Sequence, residues 1–482
     1  MKTEYLSFNR LNKKYGKNIA FITPQCSLTF LELYEKTAFF SGYFQKMGIT
    51  ADTKVAILSK NSLEYVLSIL SLCQIGAVAV PINIHNPSQQ IVTQLTQINC
   101  TKLLLAKEFQ SNNFPKQWKV FKIDNLLTGK LKPINLPTVD SIPLSQIVTV
   151  LFTSGSSGDA KAVVHTMGNH YFSALGSNLN IPLTPGNRWL VSLPLYHVGG
   201  LAIIFRTLLS GAATVIADEK DLIIGAILKY NISHLSLVPT QLMRLINEPG
   251  NIPVLRKLKA ILLGGSSVPK ALIDRVIHND LPIYTSYGST EMSSQITTTR
   301  PGDSRYKIHT AGKVLKYRRI KIDNDGEVLV RGNTLFKGYL VKNHINNAVI
   351  KNGWFPSGDI GQLKSDNYLT VLGRKDNMFV SGGENIHPEE IERELMQLDG
   401  VSDAIVVDIP DEIFGASPVA FIKIEANIPF ERLALQNLLE EKIARFKIPK
   451  HIFKWPRKSI AMKPNRNELR KLALDKLKKK RE

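Results

Sequence analysis

The chain has 482 residues, of which 44% are hydrophobic and 21% charged, and its formal net charge is +21 at pH 7. This length suggests roughly two to four domains, and the composition is typical of a globular protein rather than a disordered one. No apolar run approaches the ~20 residues of a membrane helix and no signal-peptide pattern follows Met1, so we expect a cytoplasmic protein without membrane insertion.

The distribution of positive charge and the spacing of the cysteines argue against a nucleic-acid-binding protein, a disulfide framework and a zinc site. Basic residues are spread along the chain and become denser only in Lys476–Arg481, where no aromatic residues interleave them. Because RNA-binding and zinc-finger patterns are also lacking, we expect a solvated tail and no nucleic-acid partner, although a basic protein also suits polyanionic substrates such as nucleotides. Cys26, Cys73 and Cys100 have no C-x-x-C spacing, which predicts neither a disulfide framework nor a zinc site.

Short apolar runs alternate with segments of helical periodicity through most of the chain, which predicts an α/β fold. A helix from Leu31 to Met47 is expected after Thr29, whose hydroxyl can cap it. Further helices are predicted at about 63–72, 88–97, 169–179, 201–209 and 222–229, and strands at 55–58, 77–81, 103–106, 120–123, 147–152, 189–193, 212–216, 235–238 and 260–263.

The stretch Leu151–Thr166, LFTSGSSGDAKAVVHT, changes from a buried strand to a loop rich in hydroxyls and glycines, and then to a lysine. Glycines let the backbone approach a ligand, amides and hydroxyls donate hydrogen bonds, and Lys161 adds a positive charge, so we expect a phosphate-binding loop. The spacing differs from that of a Walker A loop. The residues expected to hold phosphate oxygens are Thr153, Ser154, Gly155, Ser156, Ser157, Gly158 and Lys161.

Other polar segments also follow predicted strands. His197 lies shortly after the strand at 189–193, the strand at 260–263 leads to a glycine turn at 264–266, and a strand beginning at Ile283 leads to YGSTE at 287–291. Parallel strands end at one edge of a sheet, so we expect these turns and the 153–161 loop to converge there. An aromatic ring and a carboxylate at 287–291 favour a bound ligand with Mg²⁺.

Taken in order, these segments resemble the core motifs of the adenylate-forming superfamily, which comprises acyl-CoA ligases, luciferases and peptide-synthetase adenylation domains. The later motifs are Ser357-Gly358-Asp359, Gly373-Arg374-Lys375-Asp376, Gly382–Ile386 and Pro388–Glu392. The resemblance covers essentially the whole chain. It implies an enzyme that activates a small-molecule carboxylic acid with ATP and Mg²⁺ to an acyl-adenylate, and then transfers the acyl group to the thiol of coenzyme A.

The resemblance also implies roles for single residues. The loop from Thr153 to Lys161 would hold the β- and γ-phosphates of ATP. Residues implied to flank the adenine are Gly264, Gly265, Ser266, Tyr287 and the adjacent Gly288. Thr290 and Glu291 would meet the α-phosphate and Mg²⁺, with Glu291 as the metal ligand. Asp359 would bind the ribose hydroxyls with help from Arg374, and His197 would lie beside the reacting carboxylate.

The C-terminal lysine motif of the superfamily, G-K-x-x-R, is altered in this chain. Aligning Arg470 with the motif's arginine places Asn467 where the lysine belongs. Lys463 and Arg466 are the nearby cations that would replace it, and the sequence leaves the choice between them open.

The superfamily resemblance implies a large N-terminal domain of layered α/β subdomains plus a β-barrel, followed by a small, mobile α+β C-terminal domain. We expect the first domain at 1–375, the second at 376–482, and a hinge at Asp376. Predicted strands at 405–408 and 419–424 and helices at 388–398 and 430–444 would give the second domain its own core. A homodimer is left open.

Within the superfamily, several segments resemble the o-succinylbenzoate–CoA ligases of menaquinone biosynthesis. They are Pro194–Gly200 with Arg206, Ser236–Leu242, Leu262–Gly265, Thr290–Gln295 and Phe379–Asn385. Such a substrate carries a second carboxylate that needs a compensating partner when it is desolvated. Arg206, Ser294 and Gln295 would border its pocket, and a surface position for Arg206 is the alternative. Another aryl- or fatty-acyl-CoA ligase, or an adenylating enzyme with a different acceptor, is the alternative function.

Overall fold

Strands and helices alternate along the chain, as the sequence predicts. The computed structural model describes residues 4–109, 113–123, 141–153, 160–266, 268–381, 384–398, 400–411, 414–424, 435, 437, 439, 442–456 and 466–478. Its helices are α1 (Phe8–Tyr15), α2 (Phe30–Lys46), α3 (Leu63–Gln74), α4 (Ser88–Gln97), α5 (Met167–Asn178), α6 (Val198–Ser210), α7 (Ile223–Lys229), α8 (Pro239–Ile246), α9 (Ile252–Arg256), α10 (Lys270–His278), α11 (Arg305–Ile308), α12 (Pro388–Leu395) and α13 (Arg466–Lys478).

The strands are mostly short. In chain order they are β1 (Tyr5–Ser7), β2 (Ile19–Ile22), β3 (Ser27–Thr29), β4 (Lys54–Leu58), β5 (Val78–Pro81), β6 (Lys102–Leu105), β7 (Lys119–Lys122), β8 (Ser141–Pro143), β9 (Ile147–Thr153), β10 (Lys161–Thr166), β11 (Arg188–Leu190), β12 (Ala213–Val215), β13 (His234–Leu237), β14 (Ala260–Leu263), β15 (Ile283–Ser289), β16 (Ser294–Thr298), β17 (Lys313–Val314), β18 (Arg318–Ile322), β19 (Glu327–Gly332), β20 (Gly338–Val341), β21 (His344–Asn346), β22 (Phe355–Leu363), β23 (Leu369–Arg374), β24 (Phe379–Ser381), β25 (Glu384–Ile386), β26 (Val401–Asp411), β27 (Gly415–Ile424) and β28 (His451–Lys454).

The first large sheet has eight strands in the order β21-β20-β10-β9-β5-β4-β6-β7. The pairs from β9 to β7 are parallel, and those from β21 to β9 are antiparallel. On β4, Val55 and Ile57 pack into one core cluster with α3, whereas Ala56 and Leu58 pack into another with α4. Both faces of this parallel strand are covered, which explains its uninterrupted apolar sequence.

The second large sheet has nine strands in the order β17-β16-β15-β14-β13-β11-β12-β2-β3. Its central strands, from β15 to β2, are all parallel. A single apolar cluster contains residues of both large sheets together with Phe40 of α2, Leu67 of α3, Met167 of α5 and Ile203 of α6. These helices therefore bury apolar side chains in a core shared with both sheets. The predicted Thr29 cap is confirmed, because its hydroxyl accepts from the Glu32 N–H in a capping box.

A three-stranded sheet, β26-β27-β28, has its own cores near the C-terminus. Val406 and Ala420 pack with α12 in one cluster, and Val407 and Val419 pack with α13 in another. Successive side chains of a strand point to opposite faces, so the strands at 405–408 and 419–424 pack apolar side chains against α12 on one face and α13 on the other. The separate core that the sequence predicts is confirmed, although most of the helix predicted at 430–444 lies outside the described residues.

The chain divides into two compact units. The first contains residues 1–267, 279–320 and 329–355, and the second contains 268–278, 321–328 and 356–482. Beyond the two large sheets, the described residues form a four-stranded sheet in the order β18-β19-β22-β23. The hinge at Asp376 and the boundary beside it stay predictions. Among the helices that the structure describes, none has both the length and the apolar character that crossing a bilayer requires.

Candidate active site

Neighbouring parallel strands bring several predicted site residues to one edge of the nine-stranded sheet. β15, β14, β13 and β11 lie side by side. The chain leaves β14 at Gly264–Ser266, Tyr287 lies near the end of β15, and His197 follows β11. Ligands of open parallel sheets bind beyond the carboxyl ends of the strands, at this edge.

The connection from β11 to α6 presents His197 to solvent. His197 is the N-cap residue of α6 and is exposed, with its ring 4.7 Å from that of Tyr196. Asn61 holds the preceding backbone, because its side-chain amide donates to the Leu193 carbonyl at 3.0 Å and its oxygen accepts from the Leu195 N–H at 2.9 Å. An imidazole in this position is accessible to a substrate carboxylate.

Glycine is required at two points of this edge. Gly265 has φ +87, a conformation that L side chains rarely adopt. A Cβ on Gly288 would lie 2.1 Å from the Ser294 carbonyl oxygen, because β15 and β16 approach closely at a bulge. The glycines therefore allow the backbone turns on which the flanking polar residues sit.

The loop between Thr153 and Lys161 belongs to a different sheet from these turns. It joins β9 and β10, which are antiparallel neighbours with Thr153 opposite Lys161. The expectation that all the turns meet at the edge of one sheet is therefore wrong, because an apolar–loop–apolar pattern does not distinguish a hairpin from a parallel crossover. Residues 154–159, which include Ser154, Gly155, Ser156, Ser157 and Gly158, lie outside the described part of the chain.

The two sheets nevertheless meet at Glu291. Its Oε1 accepts a hydrogen bond of 2.9 Å from the Tyr339 hydroxyl. Tyr339 lies on β20 opposite Val163 of β10, and Lys161 Nζ is 5.4 Å from the centroid of the Tyr339 ring. The loop's lysine and the predicted metal carboxylate therefore contact the same tyrosine.

Buried histidines support the backbone next to Glu291. His165 Nε2 donates to the Thr290 carbonyl at 2.7 Å, so Nδ1 is the unprotonated nitrogen of the neutral ring. Thr149 Oγ1 lies 3.5 Å from that nitrogen and 2.8 Å from His170 Nε2. Burial lowers the pKa of His165 to about 4, against the smaller opposing effect of the Thr290 hydrogen bond. The ring stays neutral at physiological pH and fixes the turn at Thr290.

Arg206 lies inside the protein on the apolar helix α6. Its relative exposure is 1%, so the surface position left open for it is excluded. Its Nη2 donates to Ser294 Oγ at 3.1 Å, whereas Nε and Nη1 have no hydrogen-bond partner among the described residues. The guanidinium lies 5.2 Å from the ring of Trp189, and burial lowers its pKa to about 9. A buried guanidinium with unsatisfied donors is the arrangement expected of an anion-binding group before its ligand binds.

Ser294 and Gln295 begin strand β16 rather than lying in a loop. Gln295 is buried, its Nε2 donates to Thr298 Oγ1 at 2.6 Å, and its Oε1 has no partner among the described residues. Ser293 and Ser294 have φ of +53 and +101. Such backbone is strained in residues other than glycine and concentrates at binding sites.

The environment of Glu291 fits a magnesium ion that is shared with a nucleotide. Among the described residues there is no group of three or more His, Cys, Asp or Glu side chains arranged to hold a metal. Mg²⁺ commonly uses one or two protein carboxylates, with waters and substrate phosphates as its other ligands. Glu291 is partly buried, and its Oε1 accepts a hydrogen bond from Tyr339, so its carboxylate has the chemistry for such a ligand.

In the second unit, Arg374 contacts both Asp359, the predicted ribose ligand, and Asp376, the predicted hinge. Its Nη1 is 3.1 Å from Asp359 Oδ1 and its Nη2 is 3.3 Å from Asp376 Oδ2. Asp359 opposes Arg374 across β22 and β23, and Gly358 has φ +73, where a Cβ would lie 2.8 Å from Arg374 Nη2. The guanidinium holds the Asp359 carboxylate, whose side chain is 14% exposed.

Arg466 is engaged in ion pairs within the second unit. Its Nη1 is 2.6 Å from Glu392 Oε1 and its Nη2 is 3.3 Å from Glu389 Oε1. Glu392 Oε1 also accepts from the Val406 N–H at 2.7 Å, so this cluster ties α13 and α12 to β26. Lys463 lies outside the described residues. Lys463 and Arg466 themselves have the K-x-x-R spacing, which is the signal that the alignment on Arg470 misses.

Sequence reasoning did not single out several residues that support the site. Tyr339 contacts Glu291 from 48 residues away, and His165 contacts Thr290 from 125 residues away. His165 lies in the stretch that predicts the phosphate loop, but a histidine on a buried strand is usually structural. Nothing in the local sequence around Tyr339 or Asn61 marks either residue.

Comparison with known proteins identifies the family. The AMP-binding enzyme family matches residues 8–340, and the AMP-binding enzyme C-terminal domain matches residues 390–459. A 2-succinylbenzoate–CoA ligase of Oceanobacillus iheyensis is 34% identical over 436 residues, which cover 88% of this chain and 90% of that protein.

Solved structures agree with that match. The o-succinylbenzoate CoA synthetase of Bacillus subtilis in complex with the acyl-adenylate intermediate has a TM-score of 0.89 and 29% identity, covering 97% of this chain and 98% of the other. The same synthetase in complex with ATP and magnesium ion has a TM-score of 0.87 and 29% identity, with coverage of 96% and 98%. The chain therefore belongs to the AMP-binding enzyme family, the adenylate-forming enzymes that its motifs resemble.

Proposed function

We propose that this protein is an ATP-dependent acid–thiol ligase that converts 2-succinylbenzoate to its CoA thioester, a step of menaquinone biosynthesis. The family match and the names of its relatives support the ligase activity. Because ATP and CoA are substrates of the cytoplasm, we place the reaction there. The observation that carries the choice of acid is Arg206, a buried guanidinium whose Nε and Nη1 have no partner among the described residues.

The charge of 2-succinylbenzoate matches this site. The acid has a succinyl carboxylate to be activated and a ring carboxylate that must stay unreacted. A charge-assisted N–H···O bond from Nε or Nη1 of Arg206 would satisfy the ring carboxylate, while Nη2 donates to Ser294. A fatty acid would leave these donors and their charge buried without a partner, which costs several kcal/mol.

The other site residues would assist adenylation by binding the charged groups of ATP and of the acid. The succinyl carboxylate attacks the α-phosphorus of ATP and pyrophosphate leaves, which gives a mixed anhydride. Lys161 and the loop before it would hold the β- and γ-phosphates, Thr290 and Glu291 would lie at the α-phosphate, and His197 beside the attacking carboxylate. Mg²⁺ held by Glu291 would neutralise negative charge that repels the nucleophile.

The second unit supplies the ribose contact and a cation. Asp359, oriented by Arg374, would accept hydrogen bonds from the ribose hydroxyls. Of the two candidate cations, Arg466 is already paired with Glu392 and Glu389, so we assign the adenylation role to Lys463. The thiol of CoA next attacks the acyl carbon, and AMP leaves as the thioester forms. Rotation about Asp376 would separate the two half-reactions.

The test is CoA consumption with a panel of acids: 2-succinylbenzoate, benzoate, 3-benzoylpropionate and a medium-chain fatty acid. We expect the highest kcat/KM for 2-succinylbenzoate. 3-Benzoylpropionate is the same molecule without the ring carboxylate, so it measures what that group contributes. If an acid with an uncharged tail is preferred, the ligase assignment stands and the choice of substrate is wrong.

A further inference from the structure

A second arginine, Arg318, is buried close to the acid site. It begins β18, is 5% exposed, and packs against α5. Its Nη2 donates to the carbonyl and the hydroxyl of Ser173, each at 3.1 Å, and its Nη1 donates to the Lys316 carbonyl at 2.9 Å. A Cβ on Gly176 would lie 2.3 Å from Nη1, so a glycine on this face of α5 makes the space that the guanidinium occupies.

Ser173 connects Arg318 to the strained turn beside Arg206. Its hydroxyl donates to the Ser293 carbonyl at 2.5 Å, and Ser293 in turn donates to the Thr334 carbonyl at 3.1 Å. These bonds hold Ser293 and Ser294 at positive φ, a conformation that persists only where its surroundings enforce it. The Ser294 hydroxyl that results from this backbone is the acceptor for Arg206 Nη2.

The two guanidinium groups also act on each other. The hydrogen-bond partners of Arg318 are neutral oxygen atoms, and its Nε has none among the described residues. Burial, and secondly the charge of Arg206, lower the pKa of Arg318 to about 9. Two buried positive charges that repel each other destabilise the free protein, and a bound anion relieves this cost.

We propose that Arg318 is a positioning residue of the acid site, which acts through Ser173 and the Ser293–Ser294 turn to orient Ser294 and Arg206 for the ring carboxylate of the substrate. This inference rests on the proposed function. A purely structural role, in which Arg318 only joins β18 to α5, predicts a loss of stability that does not depend on which acid is bound.

The experiment compares 2-succinylbenzoate with 3-benzoylpropionate in Arg318→Met and in the milder Ser173→Ala. Arg319→Met is the matched control, because Arg319 is the next residue of β18 and is exposed. Each change is also made in an Arg206→Met background. KM and kcat are measured for each acid and for ATP, with melting temperatures as the check on folding.

We expect Arg318→Met to raise the KM for 2-succinylbenzoate about 10- to 100-fold, the range for losing a hydrogen bond to a charged group, with the KM for ATP unchanged. Ser173→Ala should give a smaller rise in the same direction, and Arg319→Met none. The KM for 3-benzoylpropionate should change little. In the Arg206→Met background the effect of either change should largely disappear, because coupled residues are not additive.

An equal rise in KM for both acids would overturn the inference and leave the proposed function intact. The same conclusion would follow if the effects of Arg318→Met and Arg206→Met on KM were fully additive. If Arg318→Met does not fold, Ser173→Ala decides, since it removes only a hydroxyl. A wild-type protein that does not prefer 2-succinylbenzoate over 3-benzoylpropionate overturns the proposed function itself, whatever the variants do.

Discussion

The charged side chains of the candidate site have different partners in the two compact units. In the first unit, Arg206 leaves two nitrogens without partners among the described residues, and Glu291 is bonded by the neutral Tyr339 hydroxyl. In the second unit, Arg374 pairs with Asp359 and Asp376, and Arg466 pairs with glutamates. A buried charge that the protein leaves uncompensated is available to a ligand, whereas one that already has an ionic partner inside the protein is not. The unpaired groups are therefore the better candidates for contacts with the acid and the metal.

The largest effect should come from Glu291→Gln. The amide keeps the size and the hydrogen bond from Tyr339 but loses the charge that would hold Mg²⁺ on the phosphates. Losing several kcal/mol of charge stabilisation corresponds to at least about 10³-fold in adenylation rate. Pyrophosphate exchange measures this step. Tyr339→Phe is the matched control and should cost far less, and a folded Glu291→Gln protein with wild-type exchange would remove Glu291 from the site.

Separate replacement of Lys463 and of Arg466 tests whether each cation contacts a ligand or stabilises the fold. Lys463→Met should slow adenylation by about 10²–10³-fold, the scale for one charge-stabilising donor, without changing the melting temperature. Supplied acyl-adenylate should still react with CoA. Arg466→Met should instead lower the free energy of unfolding by about 3–5 kcal/mol, because the buried Glu392 loses its partner. The reverse pattern would show that Arg466 is the catalytic cation.

Arg206→Met should change binding and stability in opposite directions. The kcat/KM for 2-succinylbenzoate should fall about 10²-fold, within the cost of truncating one partner of a buried charge pair, with the KM for ATP unchanged. The melting temperature of the free protein should stay the same or rise, because an unpaired buried charge is removed. Arg188→Met is a control within the same unit, since Arg188 donates to the Tyr230 carbonyl at 2.6 Å. A large fall in the melting temperature of Arg206→Met would show that Arg206 is structural.

Local sequence predicts the elements of this protein well and their pairing less well. The helix predicted at 88–97 is α4 (Ser88–Gln97), because its periodicity and preceding Pro87 are visible in a short window. The placement of the 153–161 loop in a separate sheet was not predictable, since it depends on β10 pairing with β20 across the chain. Motif residues could be named because their spacing is local. Tyr339 and Arg318 could not, because their partners are 48 and 145 residues away in sequence.

A smaller effect is expected at the predicted hinge. Asp376 lies in a short 3-10 turn, and Asn377 beside it donates to Glu389 Oε1 at 2.5 Å. Asp376→Pro fixes φ and so restricts the backbone change that a rotation needs. The thioester half-reaction should be impaired more than acyl-adenylate formation, with each measured separately. Equal impairment of both would argue against a hinge at this residue.

The smallest change is a response to pH that differs between the two units. In the first unit, burial lowers the pKa of His165 and of His234 to about 4 from an ordinary value of 6.5. Above pH 6.5 these rings are neutral in both the folded and unfolded states. As the pH falls below 6.5 the unfolded chain takes up protons that the folded chain refuses until about pH 4, so each histidine costs up to about 3 kcal/mol of stability.

In the second unit, acidification changes the stability of the folded state in the opposite direction. Burial raises the pKa of Glu392 and of Asp403, so these carboxyls destabilise the folded state when the pH rises above their ordinary range and release that cost on acidification. Between pH 6.5 and 4.5, amide hydrogen exchange corrected for intrinsic rates should therefore accelerate in β10 and β13 more than in β26. His165→Gln keeps a donor for the Thr290 carbonyl and should reduce the acceleration in β10. Equal acceleration in both units would mean that the buried charges of this chain do not set its acid sensitivity.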